Sequence, residues 1–412
     1  MDDLIVVGID IGTTKICTLV GQEEAPGKLR ILGVGIEPSV GLRKGVVVDL
    51  TAASQAVMHS VEKAERTSGL EITSALVSLA GSDVSSVNSR GVVGVIGRVI
   101  DDDDVDRAVD AARAVAIPHN REIIHVIQRG FNVDGQDGIQ MPVGMHGYRL
   151  EVETHIITAS ETSVENIRQC VLAANVELSQ FVLNPLASAE VVLTETERQM
   201  GVVVCDIGGG TSDMAIYIDG DVWHTAVLSV GGNHVTSDIA HGLRLPMSQA
   251  EDLKVQHGRA ISSEGDEGES FNIRPFGEDK AVEIRQQDLV HIINARTEEI
   301  FGLVVQEIKR SGYDGLLPAG MVLTGGSSAL PGIREVANSV LGVPVRVAKP
   351  ENLIGMKDRL DSPAYSTGVG LLHWAMMMKE ITPQGVQHPD IIREGGGFNV
   401  DNVMNWLRRL LP

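Results

Sequence analysis

The chain has 412 residues, 43% apolar and only 3% aromatic, so it is long enough for two or more domains with aliphatic cores, and wholesale disorder is excluded. Its 55 acidic residues against 34 basic ones give a formal net charge of −21, which repels phosphate backbones and disfavours nucleic acid as a partner. Cys17, Cys170 and Cys205 sit in apolar runs without metal-ligand spacing, the twelve histidines form no HExxH cluster, and no stretch reads as a signal peptide or a transmembrane span, so a cytoplasmic protein without a zinc site is expected.

Taken in order, Leu4 to Gly21 (LIVVGIDIGTTKICTLVG) is an apolar strand ending at Asp10, a turn through Gly12, Thr13, Thr14 and Lys15, and a second strand from Ile16. Strand signals continue to residue 50, with turns at Pro26-Gly27 and Gly41. Thr51 to Ser68 has helical spacing: Ala53, Ala56, Val57, Ser60, Val61 and Ala64 share a face, Thr51 is placed to cap and Gly69 to stop it. Residues 83–163 read as a small α/β insertion. They hold short strands in SSVNSRGVVGVIGRVI, a helix in DDDDVDRAVDAARAVAI, and alternating strands in REIIHVIQRGFNVDG and YRLEVETHIITAS. The four aspartates crowd the helix N-terminus, where they suit the dipole and cap free N–H groups, so capping is expected in preference to a metal cluster.

A helix from Ser163 to Ala174 and the segment Leu183 to Arg198 lead to VVVCDIGGGTSDMAIY, Val202 to Tyr217. A buried strand breaks at Asp206, Gly208, Gly209 and Gly210 force a turn, and a second strand follows. Consecutive glycines let backbone N–H groups converge on an anion. Thr211 and Ser212 add hydroxyls, while Asp206 and Asp213 suit phosphate only with a divalent cation between them. Alone, this segment is equally an ordinary glycine hairpin. The N-terminal copy about two hundred residues earlier implies two similar domains facing one ligand.

Beyond it come Gly231, Gly232 and Asn233, then a helix carrying Glu251 and Lys254 three apart on one face, where either a shared ligand or an exposed salt bridge accounts for them. Ser262 to Ser270 reads as a loop, and Val282 to Arg285 as a short strand. Gln287 to Lys309 reads as a helix in which Arg296 interrupts a face of Leu289, Ile292, Ile293, Ile300, Leu303, Val304 and Ile308. MVLTGGSSALPGI, Met321 to Ile333, is a strand ending in Gly325, Gly326 and Ser327, where a base or ribose can lie against backbone. Ser362 to Met378 closes the first domain, its methionines expected in the core.

The tail, a polar Gly- and Pro-containing linker over 381–398, precedes FNVDNVMNWLRRLLP. On a wheel of about 100° per residue, Val400, Val403, Met404, Leu407, Leu410 and Leu411 share one face, Arg408 and Arg409 lie opposite, and Trp406 marks the boundary. Residues 399–412 therefore read as an amphipathic helix for a membrane interface, the alternative being docking on its own protein.

The paired hairpins and the later Gly-Gly element resemble the nucleotide sites of the actin, sugar-kinase and Hsp70 superfamily. VVCDIGGGTSDMAIY followed by VGGNHVTSDIAHGLRLPMSQAEDLK closely resembles the FtsA family of bacterial cell-division proteins, over nearly the whole chain. The resemblance implies an α/β, actin-like (ribonuclease-H-like) two-domain ATPase fold: a first nucleotide domain in 1–82, 164–200 and 350–380, a second in 201–245 and 310–349, an inserted subdomain in 83–163, and an adenosine- and partner-binding subdomain in 246–309. It implies ATP and Mg2+ as cofactors. Asp10 and Asp206 would hold the metal through water, Gly12 to Lys15 and Gly208 to Thr211 the phosphates, with Asp213 beside them. Gly231, Gly232, Asn233, Glu251, Lys254 and Gly325 to Ser327 would border the nucleotide. Where the superfamily usually positions water with Glu or Gln, this chain has Asn184, shorter and unable to act as a base, so at most a weak ATPase is expected.

The implied partners are the C-terminal tail of the tubulin-like FtsZ, with Arg296 as a candidate contact, further copies in a filament, other division proteins, and the inner face of the cytoplasmic membrane at the division site. An internal pair with Glu299 or a loop carboxylate is the alternative for Arg296. The rival functions are a sugar-kinase-type phosphotransferase, disfavoured by the missing base and the lipid-seeking tail, and a pilus-assembly actin-like adaptor.

Overall fold

The computed structural model describes residues 5–381 except 26–27, 98, 116, 263–268 and 279. The expected terminal helix, its linker from residue 382 and most of the acidic loop lie outside the described residues. The chain divides into two compact units: Met1–Ser82 with Glu165–Leu372, and Asp83–Val164 with the chain from His373.

The larger unit contains two sheets built on one plan. In the first, the order is Glu177–Leu183, Ser74–Leu79, Ile5–Ile11, Lys15–Ala25, Lys28–Pro38, with Leu353–Gly355 added at the edge. In the second it is Val345–Val347, Met321–Thr324, Val202–Ile207, Ser212–Ile218, Asp221–Leu228. Each has an antiparallel hairpin at its centre, and in each a parallel strand lies on the far side of the hairpin's first strand. Every residue of Val202–Ile207 and Ser212–Ile218 is buried, which explains why their sequence is apolar almost throughout and not alternating.

Helix Leu50–Ser68 lays Ala53, Ala56, Val57, Ser60, Val61 and Ala64 on the first sheet, as the spacing requires, and ends at Gly69 in the left-handed region. Its cap is Asp49, which accepts the Ala52 N–H at 3.0 Å, and not Thr51: the helix begins one residue before the threonine. The return helix is Glu161–Leu172, two residues earlier than its pattern suggests. Gln286–Ser311 buries Leu289, Ile293, Thr297, Ile300, Val304 and Ile308. Arg296 is only half-buried at the margin of that face. Thr297 takes the interior position in phase with Ile293, Ile300 and Val304, and its buried hydroxyl is satisfied by donating to the Ile293 carbonyl within the helix.

The smaller unit has a four-stranded sheet ordered Ser85–Gly94, Arg149–Ser160, Arg121–Val133, Gln136–Ile139, with helix Asp102–Arg113 packed on it through Ala108, Val109 and Ala112. The aspartate run forms a reciprocal cap: Asp101 accepts from the Asp104 N–H, and Asp104 from the Asp101 N–H. All three cysteines are buried and unbridged.

A cleft between two matched phosphate hairpins

The two central hairpins are superimposable in register. Asp10 faces Cys17 and Ile11 faces Ile16 in one, while Asp206 faces Asp213 and Ile207 faces Ser212 in the other, so each closes with a four-residue loop, 12–15 or 208–211. Each loop is pinned by the same bond, Gly12 N–H to the Lys15 carbonyl at 3.0 Å and Gly208 N–H to the Thr211 carbonyl at 2.9 Å.

The tips meet. A Cβ on Gly209 would stand 2.3 Å from Thr14 Cγ2, and one on Gly210 2.5 Å from Thr13 Oγ1, so only glycine permits the approach. Helix Gly232–Leu243 is fastened to the second loop by the Gly232 and Asn233 N–H groups, which donate to the Gly208 and Gly209 carbonyls at 2.9 and 2.8 Å. Ser327 Oγ donates to the Gly208 carbonyl at 3.0 Å.

Together these elements enclose a cleft of about 390 Å³. It is lined by Asp10, Gly12, Thr13, Thr14, Lys15, Asp206, Gly208, Gly209, Gly210, Thr211 and Asp213. Gly232, Asn233, Glu251, Lys254, Gly325, Gly326 and Ser327 complete the set expected from sequence. One further residue expected at the nucleotide is elsewhere. Gly231 stands behind the wall, where a Cβ would come within 2.6 Å of the Gly208 carbonyl. Arg296 is outside the cleft, paired bidentately with Asp238 and with Glu299 at 2.8 Å. The internal-pair alternative is thus realised with Glu299 and a second, helical carboxylate.

Three carboxylates are buried here. Asp10 accepts from Ser78 Oγ at 2.9 Å, Asp206 from Thr367 Oγ1 at 2.8 Å, and Asp213 from Thr211 Oγ1 at 3.0 Å. Burial raises Asp10 above the usual carboxylate range, opposed by Lys15. Burial first, with Asp10's charge adding and Thr367 opposing, pushes Asp206 up to about 6. Asp213 is raised well above its ordinary value by burial and then by Asp206. Asp213 Oδ1 and Asn184 Oδ1 are buried without hydrogen-bond partners. Crowded, desolvated oxygen acceptors of this kind suit a hard divalent cation with its water shell. Among the described residues no three His, Cys, Asp or Glu side chains close on one point, so a cation here would rely on water and ligand oxygens as well as Asp10 and Asp206.

At the other end, Lys254 Nζ donates to Thr236 Oγ1 at 2.8 Å and Glu251 Oε2 at 2.7 Å, so the salt-bridge alternative is realised, with Lys254 largely buried, and Lys254 and Glu251 line the cleft at once. Gly325, at φ 84°, holds the end of strand Met321–Thr324 so close to the first carboxylate pair that a Cβ would lie 2.2 Å from Asp206 Oδ1. Lys15 Nζ donates to the Ala364 carbonyl and sits 5.1 Å from the Tyr365 ring centre.

Sequence reasoning missed Gly45, Ala80, Val235, Val255, Ala329, Leu330, Ala364 and Thr367 as lining residues. Leu330 carried a usable signal, since it is the first large apolar residue after the Gly-Gly turn in the segment Met321–Ile333. Ala329, Val235 and Val255 lie one or two places from residues that were expected, while Gly45, Ala80, Ala364 and Thr367 come from segments joined only by the fold.

Comparison with known proteins gives the following. A family model described as "Cell division protein FtsA" matches residues 203–370, and one described as "SHS2 domain inserted in FTSA" matches residues 81–158. The chain is 40% identical over 371 residues to the cell division protein FtsA of Pseudomonas aeruginosa, covering 90% of this chain and 89% of that one. It is 37% identical over 416 residues to that of Escherichia coli, covering 99% and 98%. Among solved structures, a PilM-PilN type IV pilus biogenesis complex aligns with a TM-score of 0.64 and 16% identity over 90% of this chain and 98% of that one. MreB5 of Spiroplasma citri bound to ADP aligns with a TM-score of 0.59 and 15% identity over 92% and 99%. At such identities the structural matches speak for the fold alone.

Proposed function

Because the chain belongs to the FtsA family of cell division proteins and has an actin-like fold, we propose that it binds ATP with magnesium in the cleft, polymerises, and tethers the FtsZ ring to the inner face of the cytoplasmic membrane. The observation supporting the first step is the convergence of two equivalent hairpins, with their closing bonds in register, on one cavity flanked by Gly325 and Gly326.

In this reading the loops Gly12 to Lys15 and Gly208 to Thr211 present to the phosphates, from opposite sides, the N–H groups and hydroxyls that their closing bonds and the Thr211–Asp213 bond leave over. Asp10 and Asp206 hold magnesium through water, and the ion neutralises phosphate charge that these carboxylates would otherwise repel. Adenosine lies between the Glu251–Lys254 pair and the Gly325–Ser327 turn. Asn184 reaches the cleft, but an amide cannot accept the proton of an attacking water, so hydrolysis is slow and the nucleotide acts chiefly to fix the two halves together.

FtsZ's C-terminal tail docks on the subdomain of residues 246–309. Arg296 takes part only by exchanging Asp238 or Glu299 for a carboxylate of the tail. The terminal helix of 399–412 attaches the filament to lipid, and other division proteins join the assembled polymer.

Calorimetry of the full chain with ATP and ADP in the presence of magnesium tests the foundation. Saturable binding of both nucleotides is expected; no heat and no competition with a fluorescent adenine nucleotide would remove the reading.

A further inference from the structure

The cleft wall includes a small hairpin that the local sequence pattern does not announce. Strands Leu42–Arg43 and Val46–Val47 pair across a two-residue turn, Lys44–Gly45. Both turn residues have positive φ, 52° and 75°. Such turns strongly prefer Asn-Gly or Asp-Gly, and a lysine in the left-handed region is strained by roughly 1 kcal/mol or more.

The turn is wedged between the phosphate loops. Gly45 lines the cleft and its N–H donates to Thr13 Oγ1 at 3.1 Å, while Lys44 is not among the lining residues. A Cβ on Gly45 would stand 2.3 Å from the Ala80 carbonyl, and one on Gly210 3.0 Å from Lys44 Cα. Among the described residues half-buried Lys44 has no hydrogen-bond or ion-pair partner. Its charge is felt at His234, which burial, then Lys44 and Arg296, keep below its ordinary pKa; Asp238 is the carboxylate facing that histidine.

Position along the second loop gives the turn its role. Gly208 is bonded by Gly232 and Ser327, on the side of the adenosine wall; Gly209 faces Asn233 and Thr14; Gly210 faces Thr13 and Lys44. The Lys44–Gly45 turn therefore stands at the end of the phosphate track opposite Gly325 to Ser327.

We propose that this turn is a third phosphate-binding element, specific for the terminal phosphate of a nucleoside triphosphate. Lys44, whose Cα stands beside Gly210, supplies a cation there by extending its flexible stem from outside the lining to the bound phosphate, and Gly45 holds Thr13 Oγ1 as an acceptor, leaving the Thr13 hydroxyl proton to donate to the same phosphate. The inference rests on the nucleotide reading above and adds triphosphate selectivity to it. It also accounts for a strained lysine where asparagine fits the backbone better.

The test is calorimetry on the full chain with magnesium, using ATP and ADP, for the unsubstituted protein, Lys44→Asn and Lys44→Arg. Asparagine suits the turn, so Lys44→Asn folds and its melting temperature does not fall. It is expected to weaken ATP about tenfold while changing ADP less than about twofold, the loss expected for one charged hydrogen bond. Lys44→Arg is expected to retain most of the preference for ATP. Equal weakening of both nucleotides by Lys44→Asn, or no change in either, would overturn the proposal while leaving the nucleotide site standing. Failure of the unsubstituted protein to bind either nucleotide would remove both.

Discussion

Asp206 concentrates the conflict built into this cleft. Buried and close to Asp10, it titrates at about 6 in the folded chain, against an ordinary 3.8. The folded state thus holds the proton more tightly than the unfolded one. The stability associated with that proton is complete below about pH 4 and is lost as pH rises through 6, a contribution of up to about 3 kcal/mol. Asp206→Asn removes this group's share of the dependence and leaves that of Asp10 and Asp213. In urea unfolding with chelator and no nucleotide, the variant should be more stable than the parent at pH 7.5, and its advantage should shrink at pH 5. An advantage equal at both pH values would mean that burial of this charge is not its source. Asp10, Asp206 and the glycine tips were legible in sequence because each sits in a contiguous strand–turn–strand pattern. Thr367, which donates to Asp206 across a sequence gap of 161 residues, belongs to no such pattern. Nor does the collision that reserves position 325 for glycine: the first depends on helix Ser366–Ile381 and the second on a parallel strand pairing, neither of which local spacing encodes.

Among the elements, chemistry contained in one segment is more legible in sequence than packing between segments. The capping aspartates at 101 and 104 and the Gly69 stop are local chemistry, whereas the choice of Thr297 over Arg296 for the interior depends on what packs opposite. Helix Asn184–Val192 shows the same limit: its sequence NPLASAEVV has weak periodicity because it is buried nearly all round. One end carries Asn184 into the cleft. At the other, Glu190 and Arg198 pair at 3.1 Å with both side chains 8% exposed, and Arg198 also donates to the Ala189 carbonyl at 2.8 Å and lies 5.0 Å from the Tyr217 ring centre. Burial raises Glu190 above its ordinary value even though Arg198 opposes it, so desolvation outweighs the attraction at the carboxylate, while at Arg198 burial acts the other way and its partners, Glu190 foremost, together more than offset it. Removing one partner strands the other. Arg198→Ala should therefore lower unfolding free energy by about 3–5 kcal/mol, whereas Glu190→Leu with Arg198→Met should leave it within about 1 kcal/mol or raise it. Equal losses in the single and double variants, measured by denaturant titration, would show that Arg198 acts through packing on Tyr217 and not through the pair.

At the scale of the whole molecule, two sheets of matching strand order are joined in one chain whose net charge of −21 opposes approach to anionic lipid. The duplication was visible from its hairpins, while the strand order was not, because parallel neighbours such as Glu177–Leu183 and Ser74–Leu79 are separated by the entire inserted subdomain. Membrane attachment, as proposed, must overcome the charge with one short helix. Each large apolar side chain contributes about 1.5–3 kcal/mol at most, and ordering a peptide of this length consumes much of that. A single copy should consequently bind vesicles weakly, and an array strongly, since neighbours on one filament raise the effective concentration of each tail at the surface. Removal of residues 399–412 is expected to abolish co-sedimentation with anionic vesicles while leaving nucleotide affinity unchanged. In the full chain, sedimentation should rise more steeply than in proportion to protein concentration, and more so with ATP than without. A truncated chain that still pellets with vesicles would place lipid binding on the body and not on the tail, and a strictly proportional response would break the link between polymer and membrane.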